Sequence, residues 1–175
     1  QRASITDRNG AMLAGNLSTA SLYANPNEVI DYKDTAHELC KQLAIKKCGD
    51  LTENLKPGKS FIWIKRHLTP KEQQAVNDLG LPGLYFIREE KRVYPHNNLF
   101  SHVLGFVDLD GNGISGMEKQ FDEYLSNNNK PLQLSLDLRV QEVLREELAD
   151  QAKLHNAIGA SGIVMDANTG EIVAM

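Results

Sequence analysis

Apolar and polar positions change their period several times along this chain, and each change marks an element. Ser4-Ile5-Thr6 and Met12-Leu13-Ala14 are short extended pieces separated by Asp7-Arg8-Asn9-Gly10. Asn9-Gly10 tolerates positive φ, so the chain opens on a β-hairpin. Ala20 to Ala24 predicts a further strand, stopped by Asn25-Pro26. Ala36, Leu39, Cys40, Leu43 and Ala44 then recur at helical spacing, which predicts a helix with Asp34 as N-cap and Gly49 ending the region. A shorter helix follows over Asp50 to Leu55, before the Pro57-Gly58 turn. Phe61-Ile62-Trp63-Ile64 is apolar without alternation, which predicts a buried strand with Trp63 in the core. Thr69, Pro70 and Glu72 stand at N-cap, N1 and N3 of the next helix, the pattern of a capping box, and Gly80 closes it before Pro82-Gly83.

Leu84 to Ile87 predicts a strand that runs into the charged stretch Arg88 to Pro95, where Pro95 forces an extended Tyr94. Ser115-Gly116-Met117-Glu118 reads as a second capping box. Behind it Met117, Phe121, Tyr124 and Leu125 share one helical face. Ser126 to Pro131 is a polar linker and the candidate domain boundary. Beyond it come a strand over Leu132 to Leu136 and a helix capped by Asp137, with Val140, Val143, Leu144 and Leu148 apolar. Gly162 to Met165 and Glu171 to Met175 make a hairpin around Asn168-Thr169-Gly170. The fold class is therefore α+β. Short strands and hairpins with several short helices occupy residues 1–130, and an incomplete sheet-plus-helix piece occupies residues 131–175. That piece leaves an open sheet edge, as the opening of a larger domain would.

Composition narrows the classes of function. The 175 residues are 41% hydrophobic and 24% charged, enough for a real core. Net charge is −4 with the basic residues scattered, so the electrostatic footprint of a nucleic-acid binder is missing. No apolar run approaches the ~20 residues that span a bilayer, and no signal-like segment opens the chain. A start at Gln1 and a stop at Met175, inside an expected strand, suggest a piece of something longer with a membrane anchor upstream. Cys40 reads as a buried thiol, because a bridge to Cys48 needs the helix to end and the chain to fold back within ~7 Å.

Candidate chemistry is sparse. Asp108-Leu109-Asp110-Gly111-Asn112-Gly113 matches the start of an EF-hand loop, but Lys119 stands where the bidentate Glu belongs, so the segment reads as a Gly-rich turn. The five His are dispersed and no Cys/His grouping has zinc spacing, so neither a metal nor a cofactor is expected. Ser-x-x-Lys, Gly-x-Ser-x-Gly and Lys-Thr-Gly are absent, and Ser126-Asn127-Asn128 lacks a Lys partner. No catalytic residue is expected in this chain. What stands out is charge at the opening turn, where Arg2, Asp7 and Arg8 crowd together.

Three ordered segments carry a resemblance. RASITDRNGAMLA, with Arg2, Ile5, Asp7, Arg8 and Gly10, resembles the Arg-Gly-x-Ile-x-Asp-Arg-x-Gly signature of class B penicillin-binding proteins. Arg92-Val93-Tyr94-Pro95, continuing to His102-Val103-Leu104-Gly105-Phe106, resembles that family's second motif. Gly113-Ile114-Ser115-Gly116-Met117-Glu118-Lys119-Gln120-Phe121-Asp122 resembles its third, Gly-x-x-Gly-x-Glu. Ala24 to Glu28, Phe61 to Ile64 and Leu81-Pro82-Gly83 are most similar to the septal, division-specific branch. Ala3 replaces the motif Gly, Asn97 stands where the second motif often has Gly, and the linker at 126–131 is shorter than usual.

The resemblance implies a non-catalytic pedestal over 1–130 and the first strand, helix and hairpin of a transpeptidase domain over 131–175. It implies a parent that is a serine-type D-Ala-D-Ala transpeptidase of septal cell-wall synthesis, anchored by an upstream helix at the periplasmic face of the bacterial inner membrane. Partners would be its own C-terminal transpeptidase domain and other division or cell-wall synthesis proteins. An elongation-type relative and a free-standing periplasmic interaction domain are the alternatives. The structural residues expected to meet are Arg2, Ile5, Asp7, Arg8, Gly10, Arg92, Tyr94, Pro95, Gly113, Gly116 and Glu118. In physical terms Arg2, Arg8 or Arg92 pairs with Glu118, and Asp7 satisfies another guanidinium.

Overall fold

The structure, a computed structural model, describes residues 2–175. Along the chain the elements are β1 (Ile5–Thr6), β2 (Met12–Ala24), α1 (Tyr32–Leu43), α2 (Cys48–Asn54), β3 (Ile62–Leu68), α3 (Pro70–Leu79) and β4 (Leu84–Val93). There follow α4 (Ser101–Leu104), α5 (Gly116–Gln120), α6 (Asp122–Asn127), β5 (Leu132–Gln133), α7 (Leu138–Leu154), β6 (Val164–Met165) and β7 (Ile172–Ala174). Contacts divide the chain into two compact units, one combining Gln1–Asn16 with Arg92–Met175 and the other comprising Leu17–Lys91. Among the described residues no helix is long and apolar enough to cross a membrane.

In the first unit β1 pairs antiparallel with β2, Ile5 opposite Ala14, and parallel with β5, Ile5 opposite Leu132. The expected strand over 132–136 is thus only two residues long. The Leu134 N–H still bonds to the Thr6 carbonyl beyond it. Ile5, Leu13, Phe100, Leu104 and Leu125 form the buried centre of this unit. Each such side chain contributes about 1.5–3 kcal/mol on leaving water. The expected single helix behind Gly116 is two, because Phe121 (φ −108°, ψ 24°) leaves helical geometry between α5 and α6. Ser115 makes no side-chain cap bond, so the second capping box does not form; the Glu118 carboxylate is engaged elsewhere. Asp137 does cap α7, accepting the Arg139 N–H, and β6 pairs with β7 as the expected hairpin.

In the second unit β2 runs antiparallel to β3, with Ala20 opposite Leu68 and Ala24 opposite Ile62. The two separate strands expected before Asn25 are one, since no turn residue interrupts 15–19 strongly enough to end it. The helices cover a core of Leu22, Ala36, Leu39, Leu43, Leu55, Leu68 and Val76. Asp31 caps α1, accepting from the Lys33 and Asp34 N–H groups, and Asp34 lies in the first turn, where a carboxylate also favours the helix dipole. Ala44, in the left-handed region at φ 50°, ends α1, so Gly49 falls inside α2. That reversal joins Cys40 to Cys48 in a disulfide with a Cα separation of 5.9 Å, which corrects the free-thiol expectation. Trp63 is also not core: it is 42% exposed and packs edge-on against Tyr23 and Phe61. The capping box at α3 forms as expected, with Thr69 and Glu72 exchanging bonds and Gly80 closing the helix. Such a cap stabilises by about 1 kcal/mol.

Candidate functional site

The third-motif loop is shaped by what glycine leaves out. A Cβ on Gly113 would lie 2.1 Å from the Glu118 carbonyl oxygen. Gly116, at φ +60°, would place one 2.6 Å from the Gly105 nitrogen. The chain can therefore double back on itself only with these residues, and the fold-back turns Glu118 inward.

Glu118 is fully buried, with a side-chain exposure of 0%, between two guanidiniums that are themselves 8% and 3% exposed. Arg2 Nε donates to Oε2 at 2.8 Å and Arg92 Nε to Oε1 at 2.7 Å. Arg2 also donates from Nη2 to the Glu118 carbonyl, 2.8 Å, and from Nη1 to Asp122 Oδ1, 2.7 Å. Arg92 Nη1 reaches the Ala3 carbonyl at 2.8 Å and Asn16 Oδ1 at 3.0 Å. Two guanidiniums and two carboxylates thus balance in charge. The Gly113 N–H and then Arg2 hold Asp122 below the ordinary aspartate range. Burial, and then the neighbouring charge of Glu118, push the Tyr94 hydroxyl up to about 12. Arg92 Nη2, also buried, has no hydrogen-bond partner among the described residues.

The opening turn has different partners from those expected of it. Among the described residues Asp7 forms no hydrogen bond or ion pair with a guanidinium. Its Oδ1 accepts the N–H groups of Asn9 and Ala11, both at 2.8 Å, and its Oδ2 accepts the N–H of Leu138, the first residue of α7, at 3.1 Å. Burial opposes charge on Asp7, yet the N–H groups of Leu138, Ala11 and Asn9 hold its carboxyl below the ordinary value. Asn9 Nδ2 donates in return to Asp137 Oδ2 at 2.9 Å. Arg8 does not reach Glu118; its Nη2 donates to Glu171 at 2.6 Å, while its backbone N–H bonds to Leu136 and its carbonyl accepts from Gln133. A turn whose backbone already consumes the Asp7 oxygens leaves Arg8 free to reach outward.

The structure brings Arg2, Arg92, Tyr94 and Glu118 together, the Tyr94 hydroxyl being 3.4 Å from Oε1. Ile5 is buried in the core, Gly10 takes φ 85° at the turn, and Pro95 is exposed. Asn97, in the place of a motif glycine, adopts φ 51°. Asp122, Asn16 and the long-range role of Asp137 were not foreseen. Asp122 alone had a signal, four residues beyond Glu118 in the single helix that the sequence predicts there. The Asp108 carboxylate ties its own turn by accepting from Asp110 and Asn112, and no group of three metal-capable side chains occurs among the described residues.

The fold is that of the penicillin-binding proteins. Penicillin-binding protein PBP2, solved in complex with MreC from Helicobacter pylori, superposes with a TM-score of 0.71 at 24% identity, over 99% of this chain and 40% of that one. More particularly, the profile of the penicillin-binding protein dimerisation domain matches residues 1–153, and the chain belongs to that family. It is 37% identical to the probable peptidoglycan D,D-transpeptidase PenA of Neisseria meningitidis over 204 aligned positions, covering 99% of this chain and 35% of the relative. It is also 37% identical to the probable peptidoglycan D,D-transpeptidase FtsI of Caulobacter vibrioides over 178 positions, covering 99% and 30%. The chain therefore spans about a third of the length of these relatives.

Proposed function

We propose that this chain is the non-catalytic N-terminal module of a peptidoglycan D,D-transpeptidase of septal cell-wall synthesis and division. Residues 1–130 are the pedestal and 131–175 the opening strand, helix and hairpin of the transpeptidase domain. The observation that carries the reading is the seat of the opening turn, where Asp7 caps α7 and Arg8 meets Glu171 from more than a hundred residues away. A pedestal must fix the first elements of the domain it carries, and these bonds do so at the turn that starts the fold. The Arg2–Glu118–Arg92 clamp holds the same strand from its other end. Relatives bearing D,D-transpeptidase names and running well beyond this chain support the assignment.

The parent's chemistry is then serine acyl transfer on a D-Ala-D-Ala stem peptide, with the nucleophile outside these residues. Its place is the periplasmic face of the inner membrane. The Cys40–Cys48 bridge supports that location, because disulfides persist in oxidising compartments. Depleting the full-length protein from cells tests the septal role: filaments that elongate without dividing are expected, and rounded cells would reassign the parent to elongation. A fluorescent penicillin should label the full-length protein covalently and leave the 175-residue chain unlabelled.

A further inference from the structure

Within the second unit a cleft of about 620 Å³ is lined by Leu17, Leu68, Phe86, His67, Arg88 and Lys91, among others, and by the first turn of α3 at Thr69 and Pro70. Its lining holds two cations and a histidine and no carboxylate, in a chain whose net charge is −4. Arg88 and Lys91 are both exposed. Arg88 Nε donates to Ser18 Oγ at 2.7 Å.

His67 adds an independent observation. It sits at φ 55°, in the left-handed region that a non-glycine residue enters at a cost of about 1–3 kcal/mol. Two bonds hold it there: its N–H donates to Ser21 Oγ at 2.9 Å, and Nδ1 lies 3.0 Å from Thr19 Oγ1. The strain turns β3 just before α3 and brings the imidazole to the cleft wall.

We propose that this cleft binds a short acidic peptide segment of a partner protein, seating its apolar side chains against Leu17, Leu68 and Phe86 and its carboxylates against Arg88 and Lys91. The proposal rests on the reading of the chain as a pedestal and names the chemistry of one partner. Charge selects the occupant, since the two charged side chains of the lining, Arg88 and Lys91, are both cations that repel basic segments and attract carboxylates. Size limits it, because a cleft in the range that encloses small ligands seats a few residues and no broad protein face.

Fluorescence anisotropy on the whole chain tests this, with a labelled library of acidic-apolar pentapeptides and a matched library carrying Lys in place of Asp and Glu. The acidic library should bind saturably and more weakly with added salt, and the basic one should not bind. Arg88→Gln with Lys91→Gln should weaken binding at least tenfold. Both residues are exposed, so an unchanged melting temperature is expected for that variant. Absence of saturable binding by the acidic library, or binding that survives the double variant, overturns the proposal. Equal competition by inorganic phosphate or by anionic lipid vesicles overturns it too, by assigning the cleft to a different anion. If peptides fail to bind while depletion still gives filaments, the cleft assignment falls and the pedestal reading stands.

Discussion

Glu118 is the buried carboxylate that the Arg2 and Arg92 guanidiniums share. Replacing it with Ala leaves Arg2 and Arg92 buried with only Asp122 to answer them, so Glu118→Ala should lower stability by about 3–5 kcal/mol in urea unfolding. A second expectation concerns acid. Asp7 and Asp122 are held below the ordinary aspartate value, and Lys65 with the Thr69 N–H holds Glu72 down to about 2. Carboxylates whose folded values are lowered stabilise fully above their unfolded values and lose that contribution as the pH falls through the folded ones. The melting temperature should therefore drop as pH goes from about 4.5 toward about 2, and a flat profile there would refute the assignment. Arg2, Arg92 and Glu118 were legible because a charged residue in a fixed motif has a partner to find. The destinations of Asp7 and Arg8 were not, since backbone N–H groups carry no sequence signal.

At the level of elements, α7 begins under two carboxylates, its own Asp137 and the distant Asp7. Asp7→Ala removes three bonds from backbone N–H groups to a charged acceptor, so a loss of at least about 3 kcal/mol is expected. Faster hydrogen exchange at Leu138 and Arg139 would localise that loss to the start of α7. Elements with strong local grammar were readable in advance: the Thr69-Pro70-Glu72 start, the Gly80 stop and the Asp137 cap all lie where the residues put them. Boundaries set by backbone conformation were not. Ala44 enters the left-handed region without a glycine, and that single residue moves the end of α1 and closes the disulfide.

For the whole molecule, the pairing that gathers residues 1–16 with 92–175 has no local pattern, because a two-residue parallel match between β1 and β5 looks like nothing in sequence. The second unit carries its own staple. Opening the Cys40–Cys48 loop by Cys40→Ser should cost about 2–3 kcal/mol on the chain-entropy account, and reductant should lower the wild-type melting temperature by a similar amount of stability while leaving the variant unchanged. The means of seeing this selectively is already built in. Trp63 is the chain's single tryptophan, it lies in the second unit, and it is 42% exposed. Its emission is an optical reporter confined to residues 17–91, whereas far-ultraviolet dichroism sums over every helix and strand, so two spectrometers can time the melting of each unit without a single added label.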